Sequence, residues 1–184
     1  MLAVAATNEQ LPVQGARAGE PEAWDTLFRR YQLPLYTYVF ELLHHEQTSL
    51  DVVQETFISA TRHIGGLRED GKVGSWLFSI AHQKCVQLWR RSRCAEELPE
   101  DAAEDFPDAA ASPSEALIRK EDEEKFMCLL NELPPPHRSV LLLHFIEDFS
   151  LEEIATITGT KIGTVKSRLH YAKRALRKRI EGQE

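Results

Sequence analysis

The chain has 184 residues, 42% of them hydrophobic and 28% charged, with a formal net charge of −7. That length sets one or two domains, each with a modest core. No run approaches the roughly 18 apolar residues of a membrane span, and the apolar start, Met1 to Ala6, lacks the basic flank and the length of a secretory signal. A cytoplasmic protein without membrane insertion is therefore expected.

Residues 1–14 show no periodicity and read as a disordered tail. Pro21 suits the first turn of a helix, where a missing N–H costs nothing. Ala23, Trp24, Leu27, Phe28 and Tyr31 then fall on one face at three- and four-residue spacing. Leu35, Val39, Leu42 and Leu43 mark a second amphipathic helix after Pro34. Val52, Val53, Thr56, Phe57 and Ala60 mark a third. Gly65-Gly66 and Gly71 to Gly74 bracket a polar loop. Trp76, Leu77, Ile80, Ala81 and Leu88 give a fourth helix with a basic end.

Residues 96–115 are rich in acids, alanine and proline and offer little to bury, which predicts a flexible linker. A second helical block follows over 116–182, with Leu117, Phe126, Leu129 and Leu130 on its first helix. Leu133 and Pro134-Pro135-Pro136 break that helix, and Val140 to Ile146 form the next. No strand alternation of useful length is present. The fold class is all-α: two small helical domains, 15–95 and 116–182, joined by the acidic linker.

The charge is strongly segregated. From Glu96 to Glu124 there are twelve acids and two bases, whereas Thr160 to Ile180 holds eight bases and no acid. Blocks of this kind indicate partners better than the total does.

The most informative stretch is Ser150 to Ile180. Ser150 and Glu153 form a capping box that starts a helix at Leu151. Leu151, Ile154, Ala155 and Thr158 face inward. Gly159 tolerates the left-handed backbone of a sharp turn, and Thr160 can cap the next helix. In that helix Ile162, Val165, Leu169, Ala172, Leu176 and Ile180 form the buried stripe. Lys161, Thr164, Lys166, Ser167, Arg168, His170, Tyr171, Lys173 and Arg174 stand opposite. This is a helix-turn-helix whose second helix suits the DNA major groove, with early residues on base edges and flanking bases on phosphates. The plainer alternative is a solvated basic face on a packing helix.

In the first block Asp51, Gln54 and Glu55 share a polar side above Val52, Val53 and Phe57. By itself this is also what an ordinary solvated helix face looks like. Lys72 to Arg93 interleaves Trp76, Phe78 and Trp89 with Lys72, Lys84, Arg90, Arg91 and Arg93. Such mixtures stack bases and neutralise phosphates of single strands; a core helix with a basic end would look similar.

Together the two blocks resemble the sigma-70 family of bacterial RNA polymerase initiation factors, in its extracytoplasmic-function (ECF) group. The carrying residues are Asp51-Val52-Val53-Gln54-Glu55-Thr56-Phe57, Gly74-Ser75-Trp76-Leu77-Phe78-Ser79-Ile80-Ala81-His82, Leu133-Pro134 with Arg138, and Phe149 through Arg168. The resemblance implies a factor that binds core RNA polymerase through its β′ and β subunits and directs it to promoter DNA. Asp51, Gln54, Glu55 and Phe57 would contact core polymerase. The loop from Leu67 to Val73 would capture an unstacked non-template base. Lys72, Trp76, His82, Lys84, Arg90 and Arg91 would serve the −10 strand. Lys166, Ser167, His170 and Tyr171 would face −35 bases, within the wider set Lys161, Thr164, Arg168 and Arg174. The resemblance also implies an anti-sigma factor as a further partner. The chain departs from the family pattern at Gln83, where Asn is usual, and at Gln87, near a usual acid.

Two rivals remain at this level. A stand-alone helix-turn-helix regulator would bind operator DNA without polymerase. An enzyme would need a site such as Glu41, His44, His45 and Glu46 on a metal, yet adjacent histidines on a helix diverge by about 100°. The sequence has no His-Glu-x-x-His, phosphate loop or nucleophile elbow, so neither cofactor nor metal is expected. Cys85, Cys94 and Cys128 lack clasp or disulfide spacing; they read as free thiols, with a redox switch as the alternative.

Overall fold

The computed structural model describes residues 11–95 and 129–181. The acidic linker and the start of the second block lie outside them. Seven helices are described: α1 (Val13–Arg17), α2 (Pro21–Leu43), α3 (Glu46–His63), α4 (Val73–Ala95), α5 (Pro135–Phe145), α6 (Leu151–Thr158) and α7 (Ile162–Glu181). Short 3-10 turns at Ile64–Gly66 and Asp70–Lys72 connect α3 to α4.

The chain is ordered earlier than its sequence suggests. Val13 opens α1, and Val13 and Ala16 are buried against α2. Residues 11–14, expected to belong to a disordered tail, are therefore part of the fold, and residues 1–10 lie outside the described residues. One short apolar turn is too brief to show periodicity, which is why the pattern was silent there.

Proline at its first turn starts α2, as expected. Pro34 does not end it. An internal proline removes one backbone bond and costs about 3 kcal/mol, but Leu35, Tyr38, Val39 and Leu42 beyond it are all buried. Their burial, at roughly 1.5–3 kcal/mol for each large apolar side chain, outweighs that cost. The helix stops at His44, which adopts a left-handed backbone (φ 51°) and donates its N–H to the Phe40 carbonyl at 2.7 Å. His45 then caps α3, its Nδ1 accepting from the Thr48 N–H at 3.2 Å.

Helices α2, α3 and α4 pack on one another. Val52, Val53, Thr56, Phe57 and Ala60 are all buried, as their spacing required. In the second module α5 and α6 both pack on α7. The two modules also meet: α6 lies along α4, α5 touches α2, and the buried apolar residues form one continuous core. Phe149, just before α6, stacks edge-on against Phe78 of α4 with centroids 5.1 Å apart.

Candidate nucleic-acid interface

The helix-turn-helix is built as its residues dictate. Ser150 and Glu153 form the full capping box: the Glu153 N–H donates to Ser150 Oγ at 3.3 Å, and the Ser150 N–H donates to Glu153 Oε2 at 2.9 Å. Gly159 takes the left-handed conformation (φ 64°). The Thr160 N–H closes the turn on the Ala155 carbonyl at 3.0 Å. Thr160 itself is not the residue ahead of α7, because that helix begins at Ile162; its hydroxyl pairs with Thr158 at 2.9 Å instead.

Val165, Leu169, Ala172 and Leu176 form the buried stripe of α7. Ile162, the first residue of α7, is 39% exposed, and the Ile180 side chain lies outside the described residues. Ile157 is buried on α6, a position the inward pattern had given to Thr158. On the opposite face Lys161, Lys166, His170, Lys173 and Arg174 are exposed. Thr164, Ser167 and Tyr171 are half-buried on the flank, where Ser167 Oγ donates to the Thr164 carbonyl at 3.0 Å. Arg168 is not on the fully exposed face. It is half-buried and close enough to His82 of α4 for its charge to act on that imidazole.

Residues of α4 expected to serve one strand are divided among four environments. Trp76 is half-buried against the core. His82 is buried at the junction of the modules, where Nδ1 lies 2.8 Å from Tyr38 Oη and 3.4 Å from Ser139 Oγ. Burial, with the Arg168 charge second, pulls its pKa down to about 4. Lys84 is two residues on, about 200° around the helix, and pairs with Glu55 of α3 at 3.0 Å. His82 and Lys84 therefore do not share a face, and His82 is not open to DNA in this arrangement. Gln83, Gln87, Arg90 and Arg91 are exposed and recur at helical spacing. The two glutamines stand out in the sequence as departures from the family pattern; their shared face with the arginines required the helix register to see. Lys72, at the end of the preceding loop, is exposed and pairs with Glu69 at 3.0 Å.

On α3 the exposed side includes Asp51, Gln54 and Glu55. Leu50 and Ile58, 48% and 44% exposed, border them at helical spacing and were missed because each also fits an apolar stripe. Phe57 belongs beneath: it is 8% exposed and stacks edge-on with Phe28 at 4.9 Å, leaving Phe28 itself 41% exposed.

Arg138 ties the modules at their other end. Nη1 donates to the Glu41 carbonyl at 2.8 Å and touches His44 Nε2, while Nη2 donates to the Leu133 and Asn131 carbonyls at 3.2 and 3.3 Å. Its family position was noted from sequence; its partners were not. Glu147, 2% exposed, has an Oε2 with no hydrogen-bond partner among the described residues, and burial pushes its pKa up to about 8.

His44 and His45 are thus engaged with Arg138 and Thr48, and no cluster of three metal-ligating side chains occurs among the described residues. Cys85 is a free, fully buried thiol whose pKa is pushed up to about 12 by that burial. The Cys94 side chain and Cys128 lie outside the described residues. No helix among the described residues is long and apolar enough to cross a membrane.

Comparison with known proteins agrees with this geometry. Residues 27–94 match the model of sigma-70 region 2, and residues 123–176 match that of sigma-70 region 4. The chain is 32% identical over 182 residues to the RNA polymerase sigma-H factor of Pseudomonas aeruginosa, covering 95% of this chain and 94% of that one. It is 32% identical over 168 residues to the ECF RNA polymerase sigma factor SigL of Mycobacterium tuberculosis, covering 90% and 93%. Its fold is that of CnrH in complex with the cytosolic domain of CnrY (TM-score 0.68, 22% identity, 94% and 96% covered). It is also that of the sigma factor RpoE in complex with the anti-sigma factor NepR from Bartonella quintana (TM-score 0.62, 22% identity, 84% and 96% covered). A region 2 module followed by a region 4 helix-turn-helix, over nearly the full length of such relatives, favours a sigma factor over a stand-alone regulator: the chain belongs to the sigma-70 family of RNA polymerase sigma factors, in its ECF group.

Proposed function

We propose that the chain divides promoter recognition between its two modules while docked on core RNA polymerase. The exposed side of α3, with Asp51, Gln54 and Glu55 and the apolar Leu50 and Ile58 beside them, is the surface for core polymerase. The loop from Leu67 to Val73 receives an unpaired non-template base, and the exposed stripe Gln83, Gln87, Arg90 and Arg91 of α4 follows the −10 strand. The open face of α7, with Lys161, Lys166, His170 and Arg174, reads the −35 duplex. Use of His82 on the −10 strand requires the modules to separate, since α5 and α6 cover it here.

The observation that carries this reading is the exposed basic face of α7, in a helix-turn-helix whose first helix is fixed by a capping box, in a chain whose other module carries a separate exposed polar and apolar face on α3. The chain supplies recognition and strand opening in the cytoplasm, and the polymerase supplies the bond-forming chemistry. Base capture and backbone contacts offset unstacking, which costs a few kcal/mol per step. An anti-sigma factor is a regulatory partner in this reading.

The test pairs two variants assayed with core enzyme. Lys166→Ala should weaken −35 discrimination by about 1–3 kcal/mol while core binding stays intact. Asp51→Ala should weaken core binding and leave the −35 preference unchanged. Loss of the same step in both variants contradicts the division.

A further inference from the structure

Helix α1, which carries no periodic signal in the sequence, is joined to the loop between α3 and α4. Arg17 donates from Nη2 to the Leu67 carbonyl and pairs through Nη1 with Asp70 Oδ1 at 2.8 Å. Gln14 Nε2 donates to the other Asp70 oxygen at 2.5 Å. One guanidinium thus holds the loop at its start and again three residues on. The planar fork of arginine allows two such contacts in fixed geometry, which lysine cannot reproduce.

The anchor is itself fixed. Val13 and Ala16 are buried, and Trp24 Nε1 donates to the Ala16 carbonyl at 3.0 Å. A Cβ added at Gly15 would meet Glu20 Oε2 at 2.4 Å and Ala23 Cβ at 3.1 Å, so α1 sits close against the start of α2. The loop's own backbone bonds are local, from Leu67 N–H to Ile64 and from Lys72 N–H to Glu69. A Cβ at Gly71 would meet nothing within 4 Å, and Arg68, Glu69 and Lys72 are exposed, so the loop is open on its other side.

We propose that Arg17 is a positioning residue for promoter opening: with Gln14 it fixes the Leu67–Val73 loop in the shape that receives the unpaired base. The inference rests on the reading that this loop captures a base. The Arg17 and Asp70 side chains are 25% and 38% exposed, so the pair is only partly shielded, and its loss is worth a modest factor rather than a collapse.

The test measures the rate of open-complex formation by core polymerase with the full chain. Promoters carry single abasic sites at successive non-template positions of the −10 element. With the unaltered chain, one abasic position should slow opening. On the intact promoter Arg17→Gln and Asp70→Asn should each slow opening about fivefold. On the critical abasic promoter neither substitution should add to the defect, because the group the loop would hold is gone. The charge swap Arg17→Asp with Asp70→Arg should recover part of the rate. Core affinity and −35 binding should not move. Equal slowing on intact and abasic promoters, or no slowing at all, overturns the proposal as a merely structural or idle contact. If no abasic position affects the unaltered chain, base capture itself fails, and the proposal falls with it.

Discussion

The Tyr38 hydroxyl, on the second helix of the N-terminal module, lies 2.8 Å from Ser139 Oγ on the first complete helix of the C-terminal module. Both groups are buried, and the same hydroxyl lies 2.8 Å from His82 Nδ1. Three modest polar side chains thus meet where apolar packing alone would leave orientation loose. With the Arg138 clamp and the Phe78–Phe149 contact, they define a closed arrangement in which α6 covers part of the helix assigned to the −10 strand.

Removing one partner leaves the others short of a hydrogen bond in a buried site. Ser139→Ala and Tyr38→Phe should each cost about 1 kcal/mol of stability. Because they share one network, the double variant should lose less than the sum. Urea unfolding of the four proteins checks this, and strict additivity would show that the three side chains do not act as a unit.

Glu147 sets a pH dependence of unusual sign. Its closed-state pKa of about 8 lies above the ordinary 4.5, with burial as the cause. A carboxyl with a raised pKa penalises the folded form progressively as pH rises from about 4.5 to about 8. Stability should therefore fall across that window, by an upper bound of roughly 4–5 kcal/mol. Glu147→Gln should flatten the slope and make the chain more stable at neutral pH. Denaturant midpoints from pH 5.5 to 8.5 decide it, and identical slopes would show that the carboxyl does not titrate with folding.

His82 acts in the opposite direction. Its pKa is lowered to about 4 from 6.5, so the folded form excludes the proton that the free imidazole accepts. Stability is complete above about 6.5 and is lost as pH falls toward 4, by roughly 3 kcal/mol at most. NMR of the ring protons should show one histidine that remains neutral at pH 5.5. A ring titrating near its ordinary value would place His82 in solvent.

The helix-turn-helix depends on two local devices. Ser150→Ala removes the cap and should cost about 1 kcal/mol. Gly159→Ala forces a side chain into the left-handed region, at about 1–2 kcal/mol. Both should lower the thermal midpoint of the C-terminal module before they alter its promoter preference, which differential scanning and DNA binding at low temperature separate.

Patterns that repeat at helical spacing were legible from the sequence. The buried faces of α3 and most of α7, the capping box and the Gly159 turn follow from residues that sit near one another in the chain. Relationships across the chain were not. Tyr38 and Ser139 are far apart in sequence and each reads as unremarkable alone. His82 carried the right chemistry for a DNA strand, but nothing local reveals that α5 would cover it. Lys84 carried the right charge, but its Glu55 partner belongs to another helix. Pro34 misled because local propensity predicts a break, while the cost is outweighed by burial that only the tertiary fold supplies. Segment α1 was missed for want of length: five helical residues hold too few apolar positions to declare a period.

Run-off transcription with purified bacterial core polymerase, the full chain and a library of promoter fragments tests the central claim most directly. The account predicts transcripts that start at defined sites, require the chain, and depend on two promoter elements at fixed spacing. Core polymerase that ignores the chain and yields no promoter-specific RNA, while the chain alone binds duplex operators tightly, would contradict it.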